Sequence, residues 1–158
     1  MKRLILLVCT LLIASAASAQ LYVPGENLKY KISYKAKLFP NTEVAKAEMT
    51  TSEASLDGMP AYRVYGHGQT AKAFSWILPI NDAYTIWIDP KTNRTKRFES
   101  DLHEGDYTFR STYIFDWINH NVHTRWQRRQ REEQFKTMRL TDRSMDALSL
   151  YFDLRATP

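Results

Sequence analysis

The sequence predicts a mainly β protein in which one strongly curved antiparallel sheet is followed by a single C-terminal amphipathic helix. Apolar and polar side chains alternate with a period of two through most of residues 28–140, which is typical of strands with one face in water. Turn-forming residues separate these runs at short intervals. Only the segment after Ser144 changes to a helical period, so we expect one helix against one face of the sheet.

Alternation and one turn signal define the first three strands. The run from Leu28 to Lys37 places apolar side chains on one face and four lysines on the other, and a second strand covers residues 42–54. Asp57-Gly58 then indicates a tight hairpin, because such a turn needs residues that tolerate a positive φ. The partner strand is predicted at residues 61–66.

Residues 70–79 interrupt the alternation and read as a short helical turn or an apolar loop that ends at Pro79. The chain then returns to a period of two, and each further run ends in a cluster of turn residues. The predicted strands are 84–88, 95–102, 107–115, a strand from Val122, and a weaker one at 135–140, with turns at 89–93, 103–106 and 119–121.

The last element is predicted to be a helix over residues 144–155. Met145, Leu148 and Phe152 recur at helical spacing and would form its apolar stripe. Asp142 or Ser144 is the expected N-cap, because both residue types accept a hydrogen bond from the first helical turn.

The N-terminus has the pattern of a cleaved secretory signal over residues 1–19. Met1-Lys2-Arg3 is a cationic start, residues 4–14 are an apolar run too short for a permanent span, and Ala17-Ser18-Ala19 is a small-x-small cleavage site. We therefore expect export to the periplasm or cell envelope, with Cys9 removed and no transmembrane segment left after cleavage.

The mature chain, residues 20–158, is expected to be a single domain without cysteine. Loss of Lys2 and Arg3 leaves 20 basic and 17 acidic residues, a net charge of +3. This excess is far below that of a nucleic-acid-binding module, so we expect no nucleic-acid partner.

Six short blocks resemble a known family in their order along the chain. They are GEN-L-KY at 25–30, DGMPAYRVYGHGQT at 57–70, the run from Asp82 to Asp89 with Lys91-Thr92, EGDY at 104–107, Phe115-Asp116, and DALSLYFDLR at 146–155.

These blocks resemble the uncharacterised exported bacterial family called domain of unknown function 3108, in its N-terminal portion only. The resemblance implies a Bacteroidetes-type envelope protein with a half-barrel similar in shape to periplasmic lipoprotein carriers, and it implies no established activity. Family members usually continue with further strands, so we expect this chain to be truncated after Pro158 and its sheet to lack closing strands.

His120 and His123 form the first candidate metal site. In a strand these two positions point to opposite faces, and Asn119-His120-Asn121 favours a turn, so we expect two exposed imidazoles and no bound metal.

The arginine run that follows is the second candidate site. Alternation predicts Arg125, Arg129 and Arg131 on one face of a strand and Arg128 with Trp126 on the other. A solvated or edge-protecting strand is the simpler interpretation, and contact with acidic lipid headgroups is the alternative.

Other catalytic patterns are missing from the sequence. There is no nucleophile elbow, phosphate loop, dinucleotide fingerprint or zinc-protease motif, so no catalytic residue and no cofactor is predicted. Four carboxylates could attract calcium, but their spacing fits no calcium loop and favours a solvated turn. These carboxylates belong to Glu99, Asp101, Glu104 and Asp106.

The sequence thus favours a non-enzymatic envelope protein whose curved sheet holds an apolar ligand such as a lipid or lipidated peptide. Three alternatives stay open: the same side chains pack on the helix and leave no cavity, the chain is an envelope hydrolase or metal-dependent enzyme, or it is a structural scaffold for another envelope protein. The residues expected to line the ligand site are Tyr30, Ile32, Tyr34, Phe74, Trp76, Ile86 and Tyr113.

Overall fold

A computed structural model describes residues 20–36 and 39–156 of the chain. The predicted signal peptide at residues 1–19, including Cys9, lies outside the described residues. The described elements are eight strands and one helix. They are β1 (Asn27–Ala36), β2 (Phe39–Leu56), β3 (Met59–Thr70), β4 (Asn81–Ile88), β5 (Thr95–Glu104), β6 (Tyr107–Asp116), β7 (Asn121–Arg128), β8 (Gln134–Arg139) and α1 (Ala147–Ala156).

The strands form one sheet in the order in which they occur along the chain. Each strand pairs antiparallel with the next, so β1 and β8 form the two edges and the sheet does not close into a barrel. The predicted fold class, an antiparallel sheet with one C-terminal helix, is confirmed. Short turns between consecutive strands favour this order, because a hairpin places its second strand directly beside its first.

The hairpin between β2 and β3 is longer than the sequence predicts. Both predicted central residues have a positive φ, 53° at Asp57 and 79° at Gly58, as the turn requires. The pairing extends without interruption from Leu56 and Met59 to Ala45 and Thr70. Alternation did not reveal this extent, because glycines at positions 66 and 68 carry no side chain while their backbones still pair.

The predicted N-cap of the helix is wrong. α1 begins at Ala147, and the Asp146 carboxylate accepts hydrogen bonds from the backbone N–H groups of Leu148 (2.9 Å) and Ser149 (3.0 Å). Ser144 instead closes the preceding turn, where its hydroxyl accepts a hydrogen bond from the Thr141 N–H. Asp142 forms an exposed ion pair with Arg94 at 3.1 Å, so neither predicted cap is available to the helix.

The two faces of the sheet differ in character. Directly paired residues of an antiparallel sheet point to the same side, so Val64, Ile86, Phe98 and Tyr113 share one face, which is covered in part by α1. We call this side the helix face. The opposite side, the outer face, is polar and carries ion pairs such as Arg110–Asp101 (3.2 Å).

The core lies between the helix face and α1. Its five most buried side chains are at most 1% exposed, and one of them comes from the segment before β1. That residue, Tyr22, packs its ring 4.9 Å from the ring of Phe152. The core side chains are Tyr22, Val64, Ile86, Ile88 and Phe152.

Within residues 20–36 and 39–156, no helix combines the length and apolar character needed to cross a bilayer.

Candidate functional site

An apolar cleft lies between the helix face and the segment that leads into α1. It has a volume of about 390 Å³. Five side chains from β5, β6, β7 and β8 form its sheet wall, and two from the segment before α1 form the opposite wall. The sheet wall consists of Phe98, Tyr113, Phe115, Val122 and Met138, and the opposite wall contains Leu140 and Met145.

Strand register brings the sheet wall together. Phe98 pairs directly with Tyr113, and their rings meet edge to face with centroids 5.5 Å apart. Phe115 lies two residues beyond Tyr113 on β6 and therefore points to the same face. Phe115 pairs directly with Val122 on β7, and Val122 pairs with Met138 on β8. Alternate positions on four neighbouring strands thus give one continuous apolar surface.

Asp146 fixes the position of the opposite wall. Besides capping α1, its carboxylate accepts hydrogen bonds from the hydroxyl groups of Ser149 (2.6 Å) and Thr95. Thr95 is the first residue of β5, so one carboxylate connects the start of the helix with the sheet. A negative charge here is also favoured by the partial positive charge at the helix N-terminus. The residues just before Asp146, including Met145, are therefore held over the sheet wall.

Two methionines lie at the mouth of the cleft. Met138 is 37% exposed and Met145 is 52% exposed, whereas Val122 and Leu140 deeper inside are almost fully buried. Methionine side chains are unbranched and adapt to differently shaped apolar partners. The entrance can therefore fit a flexible chain, while the interior is fixed by branched and aromatic side chains.

The seven side chains predicted to line a ligand site do not meet in one cavity. Tyr113 contributes to the wall of the cleft. Ile86 is fully buried in the core below α1, and the hydroxyl of Tyr30 is hydrogen-bonded to that of Tyr151 on the helix. The other four lie toward one end of the sheet, on β1 or in the loop after β3: Ile32, Tyr34, Phe74 and Trp76.

Seven apolar lining residues were not among those predicted from the sequence. The alternation of β6 gave a usable signal for Phe115, because it shares the parity of Tyr113. Met145 was predicted in the apolar stripe of a helix, but α1 begins at Ala147, so Met145 lies in the segment before it. Met138 lies on β8, whose weak alternation did not mark it as a lining residue.

The two histidines occupy different surroundings. His120 lies in the β6–β7 turn with φ of 53°, and the imidazole Nδ1 of His123 lies 3.0 Å from the hydroxyl of Thr137 on β8. Across the described residues, no three His, Cys, Asp or Glu side chains are grouped so that they could hold a metal ion.

The predicted arrangement of the arginines is wrong in part. β7 ends at Arg128, and the positive φ of Arg129 (54°) turns the chain toward β8, so Arg129 and Arg131 lie in a turn and not on a strand face. Arg125 does lie on β7, where its guanidinium is 3.3 Å from the Glu133 carboxylate.

The outer face contains a polar groove of about 450 Å³. Four of its charged side chains form two pairs, Asp101–Arg110 (3.2 Å) and Arg125–Glu133 (3.3 Å). Asp101 also lies 3.0 Å from the imidazole of His103, and Glu99 pairs with Arg97 outside the groove. The predicted acidic cluster is thus divided, because Asp101 on the outer face of β5 pairs with Arg110, while Glu104 and Asp106 flank the β5–β6 turn.

Comparison with known proteins gave one result. The family model described as "Protein of unknown function (DUF3108)" matches residues 29–157, which is most of the chain. Searches of curated proteins and of solved structures returned no match.

Proposed function

The chain belongs to the family described as protein of unknown function DUF3108, and from this premise we propose that it is an exported, non-enzymatic envelope protein that holds an apolar ligand. The ligand class is a single acyl chain, either of a lipid or of a lipidated peptide. The binding site is the cleft between the helix face and the segment before α1.

The apolar lining of the cleft is the observation that carries this proposal. Small-molecule sites in proteins usually have volumes of about 300 to 1,000 Å³ and are lined mainly by apolar and aromatic side chains. The cleft, at about 390 Å³, falls within this range, and eight of its lining residues, including Ala147 at the start of α1, are apolar or aromatic. Transfer of an acyl chain from water to such a surface is favourable by about 0.8 kcal/mol per buried CH₂ group.

The polar lining suits the ligand class as well. Arg139, Ser144 and Asp146 complete the cleft, and the Asp146 carboxylate is occupied by hydrogen bonds to Thr95, Leu148 and Ser149. The apolar side chains therefore dominate the surface that is open to a ligand. This supports recognition through apolar contact, which an acyl chain provides along its whole length.

Export is supported by the sequence of residues 1–19. The cationic start, the short apolar run and Ala17-Ser18-Ala19 together have the organisation of a secretory signal. The family resemblance implies an envelope location on independent grounds.

Filling the cleft tests the proposal. Met138→Trp places a large side chain at the mouth, so we expect half-saturation of a fluorescent fatty acid to require at least about tenfold more protein than for the wild type. Met59→Trp is the matched control, because Met59 is 51% exposed next to the β2–β3 turn, away from the cleft. Equal binding by the wild type and Met138→Trp would refute the proposed site.

The second measurement addresses the ligand directly. Protein purified from the periplasm of a bacterial host should carry lipid that native mass spectrometry detects and solvent extraction removes. The Met138→Trp variant should carry less of this mass, whereas Met59→Trp should carry as much as the wild type. Identical spectra before and after extraction would contradict a lipid-holding function.

A further inference from the structure

An exposed apolar tip projects from the β3–β4 loop, residues 71–80. Trp76, Ile77 and Leu78 follow each other in sequence and are 80%, 62% and 53% exposed. The eight residues from Ala73 to Ile80 carry no charge. Three large apolar side chains in succession are unusual on a water-exposed loop, because proteins rarely leave contiguous apolar surface uncovered unless it contacts a partner.

The loop is held in place by backbone and side-chain hydrogen bonds. The Thr70 hydroxyl donates to the carbonyl of Leu78 (2.8 Å) and accepts from the N–H of Ile80 (3.1 Å), which closes the loop at its base. The loop is also joined to its neighbours, since the Ala71 N–H donates to Val44 and the Gly105 N–H donates to Pro79, both at 2.8 Å. The apolar tip is therefore presented on a supported base.

The indole of Trp76 has its polar group satisfied within the loop. Its Nε1–H donates to the carbonyl of Ala73 at 2.9 Å. An unpaired N–H would oppose transfer of this side chain into an apolar phase, because burial of an unsatisfied donor is costly. With that bond in place, Trp76 can enter the region between lipid headgroups and acyl chains, where tryptophan is enriched in membrane proteins.

Cationic side chains lie at this end of the sheet. Neighbouring strands run in opposite directions, so the β3–β4 loop and the β7–β8 turn lie at the same end. The last residue of β7 and the turn after it contribute three exposed arginines, and Lys72 on the loop is also exposed. We call Arg128, Arg129 and Arg131 the basic turn.

Acidic side chains at the same end reduce the net positive charge. Glu104 and Asp106 flank the β5–β6 turn, and Glu132 lies within the β7–β8 turn. Glu133 is partly neutralised by Arg125 and Glu43 by Lys46, at 3.3 Å in each pair. Apolar insertion therefore supplies most of the attraction to a surface, and the basic turn adds a smaller preference for anionic headgroups.

We propose that this end of the sheet docks on a lipid bilayer, with Trp76, Ile77 and Leu78 inserted among the headgroups and the basic turn contacting anionic lipid. This docking site is separate from the cleft. β4 runs from the loop at Asn81 to Ile88, and the strand residues that line the cleft lie toward the other end of their strands. Docking on a bilayer therefore does not depend on ligand binding in the cleft.

Vesicle co-sedimentation tests the inserted tip. We expect the purified protein to sediment with neutral phosphatidylcholine vesicles, and the Trp76→Ser/Ile77→Ser/Leu78→Ser variant to lose about tenfold or more in partition coefficient. The matched control is Met59→Ser/Ile118→Ser, because Met59 and Ile118 are 51% and 90% exposed at turns of the opposite end. All variants change exposed residues, and their folding is checked by thermal unfolding.

The basic turn is tested with vesicles that also contain phosphatidylglycerol. The wild type should bind these several-fold more tightly at low salt, and Arg128→Gln/Arg129→Gln/Arg131→Gln should remove that difference while binding to neutral vesicles is retained. Quenching of Trp fluorescence by brominated acyl chains, absent in Trp76→Phe, would place the indole at the bilayer interface.

Two outcomes would overturn the proposal. In the first, the triple serine variant sediments with vesicles as well as the wild type does. In the second, the wild type binds no vesicles and instead self-associates in sedimentation velocity, and the serine variant is monomeric. The second result would assign the apolar tip to a contact between copies of this chain.

Discussion

Asp146 is the residue on which the position of the helix most depends. Its carboxylate accepts four hydrogen bonds, two from backbone N–H groups of α1 and two from the hydroxyl groups of Ser149 and Thr95. Three acceptable N-cap residues occur within five positions of the chain, at 142, 144 and 146. Of the three, Asp146 is the one that also accepts a hydrogen bond from Thr95, which lies 51 residues earlier in the sequence. A local pattern contains no information about that partner.

Replacement of this carboxylate should destabilise the fold measurably. We expect Asp146→Ala to lower the free energy of unfolding by about 2 kcal/mol, because it removes the helix cap and leaves the Thr95 and Ser149 hydroxyls without their acceptor. Asp142→Ala is the control, since the Asp142 carboxylate is 77% exposed and its ion pair with Arg94 should contribute less than about 1 kcal/mol. Urea denaturation gives both values, and equal losses would contradict the assigned cap.

Tyr22 makes the stability of the fold depend on pH in the alkaline range. Burial raises the pKa of its phenol to about 12, above the usual value of 10.0. The folded state therefore keeps the proton more firmly than the unfolded state does. The protonated phenol stabilises the folded state fully below pH 10, and this stabilisation is lost as the pH rises to about 12. A pKa difference of this size corresponds to about 2 to 3 kcal/mol in the free energy of unfolding.

Unfolding in urea between pH 8 and pH 11 measures this effect. We expect the free energy of unfolding to fall above about pH 10, with a shallower fall for Tyr22→Phe, which keeps the ring against Phe152 and removes the titrating group. Some slope should persist in the variant, because desolvation and the hydrogen bond to Tyr151 also raise the pKa of Tyr30 to about 12. A slope identical to that of the wild type would refute the role of Tyr22.

At the scale of elements, the strands were predictable and their lengths were not. Side-chain alternation and the Asp57-Gly58 turn identify the hairpins, because both depend on neighbouring residues alone. Strand ends depend on how far the partner strand continues, as in the β2–β3 pair, where backbone pairing passes through two glycines. The end of β7 at Arg128 is a second case, since the positive φ of Arg129 is invisible to an alternation pattern.

Helix α1 buries one aromatic side chain completely against the sheet. Phe152 is fully buried and contacts the rings of Tyr22 and Tyr151. We expect Phe152→Ala to lower the free energy of unfolding by about 3 to 5 kcal/mol, the usual cost of removing a buried aromatic side chain.

The matched control for this change is Leu154→Ala on the same helix. Leu154 is 65% exposed, so its truncation should change stability by about 0.5 kcal/mol or less. If both variants are equally stable by thermal unfolding, α1 does not depend on Phe152 for its attachment.

At the scale of the whole molecule, the expected export leads to a direct prediction. When the full chain is expressed in a bacterial host, we expect the mature protein to begin at Gln20, because Ala17-Ser18-Ala19 has the small residues that signal peptidase requires. Intact-mass measurement of the periplasmic fraction checks this. Replacement of Ala17 and Ala19 by bulky residues should leave the precursor uncleaved. A cytoplasmic protein that keeps Met1 would contradict the prediction.

The fold class could be predicted from the sequence, but the location of the candidate site could not. Alternation assigns Tyr30, Ile32 and Tyr113 to apolar strand faces, but it does not say which part of the sheet the helix covers. The answer depends on the Asp146–Thr95 and Tyr22–Phe152 contacts, which join residues far apart in the chain. They place α1 over Ile86 and leave the space above β6 to β8 open as the cleft.

The sequential order of the strands has a consequence for how the chain acquires its structure. Each strand pairs with the one that precedes it, so sheet formation requires only short loop closures, and such local contacts are associated with fast folding. The core is different, because the hydrogen bond from Tyr22 to Ser149 joins residues 127 positions apart. During emergence from a ribosome, hairpins can form one after another while Val64 and Ile86 stay uncovered. The interval before Phe152 arrives is therefore when this chain is most exposed to aggregation and most dependent on a chaperone.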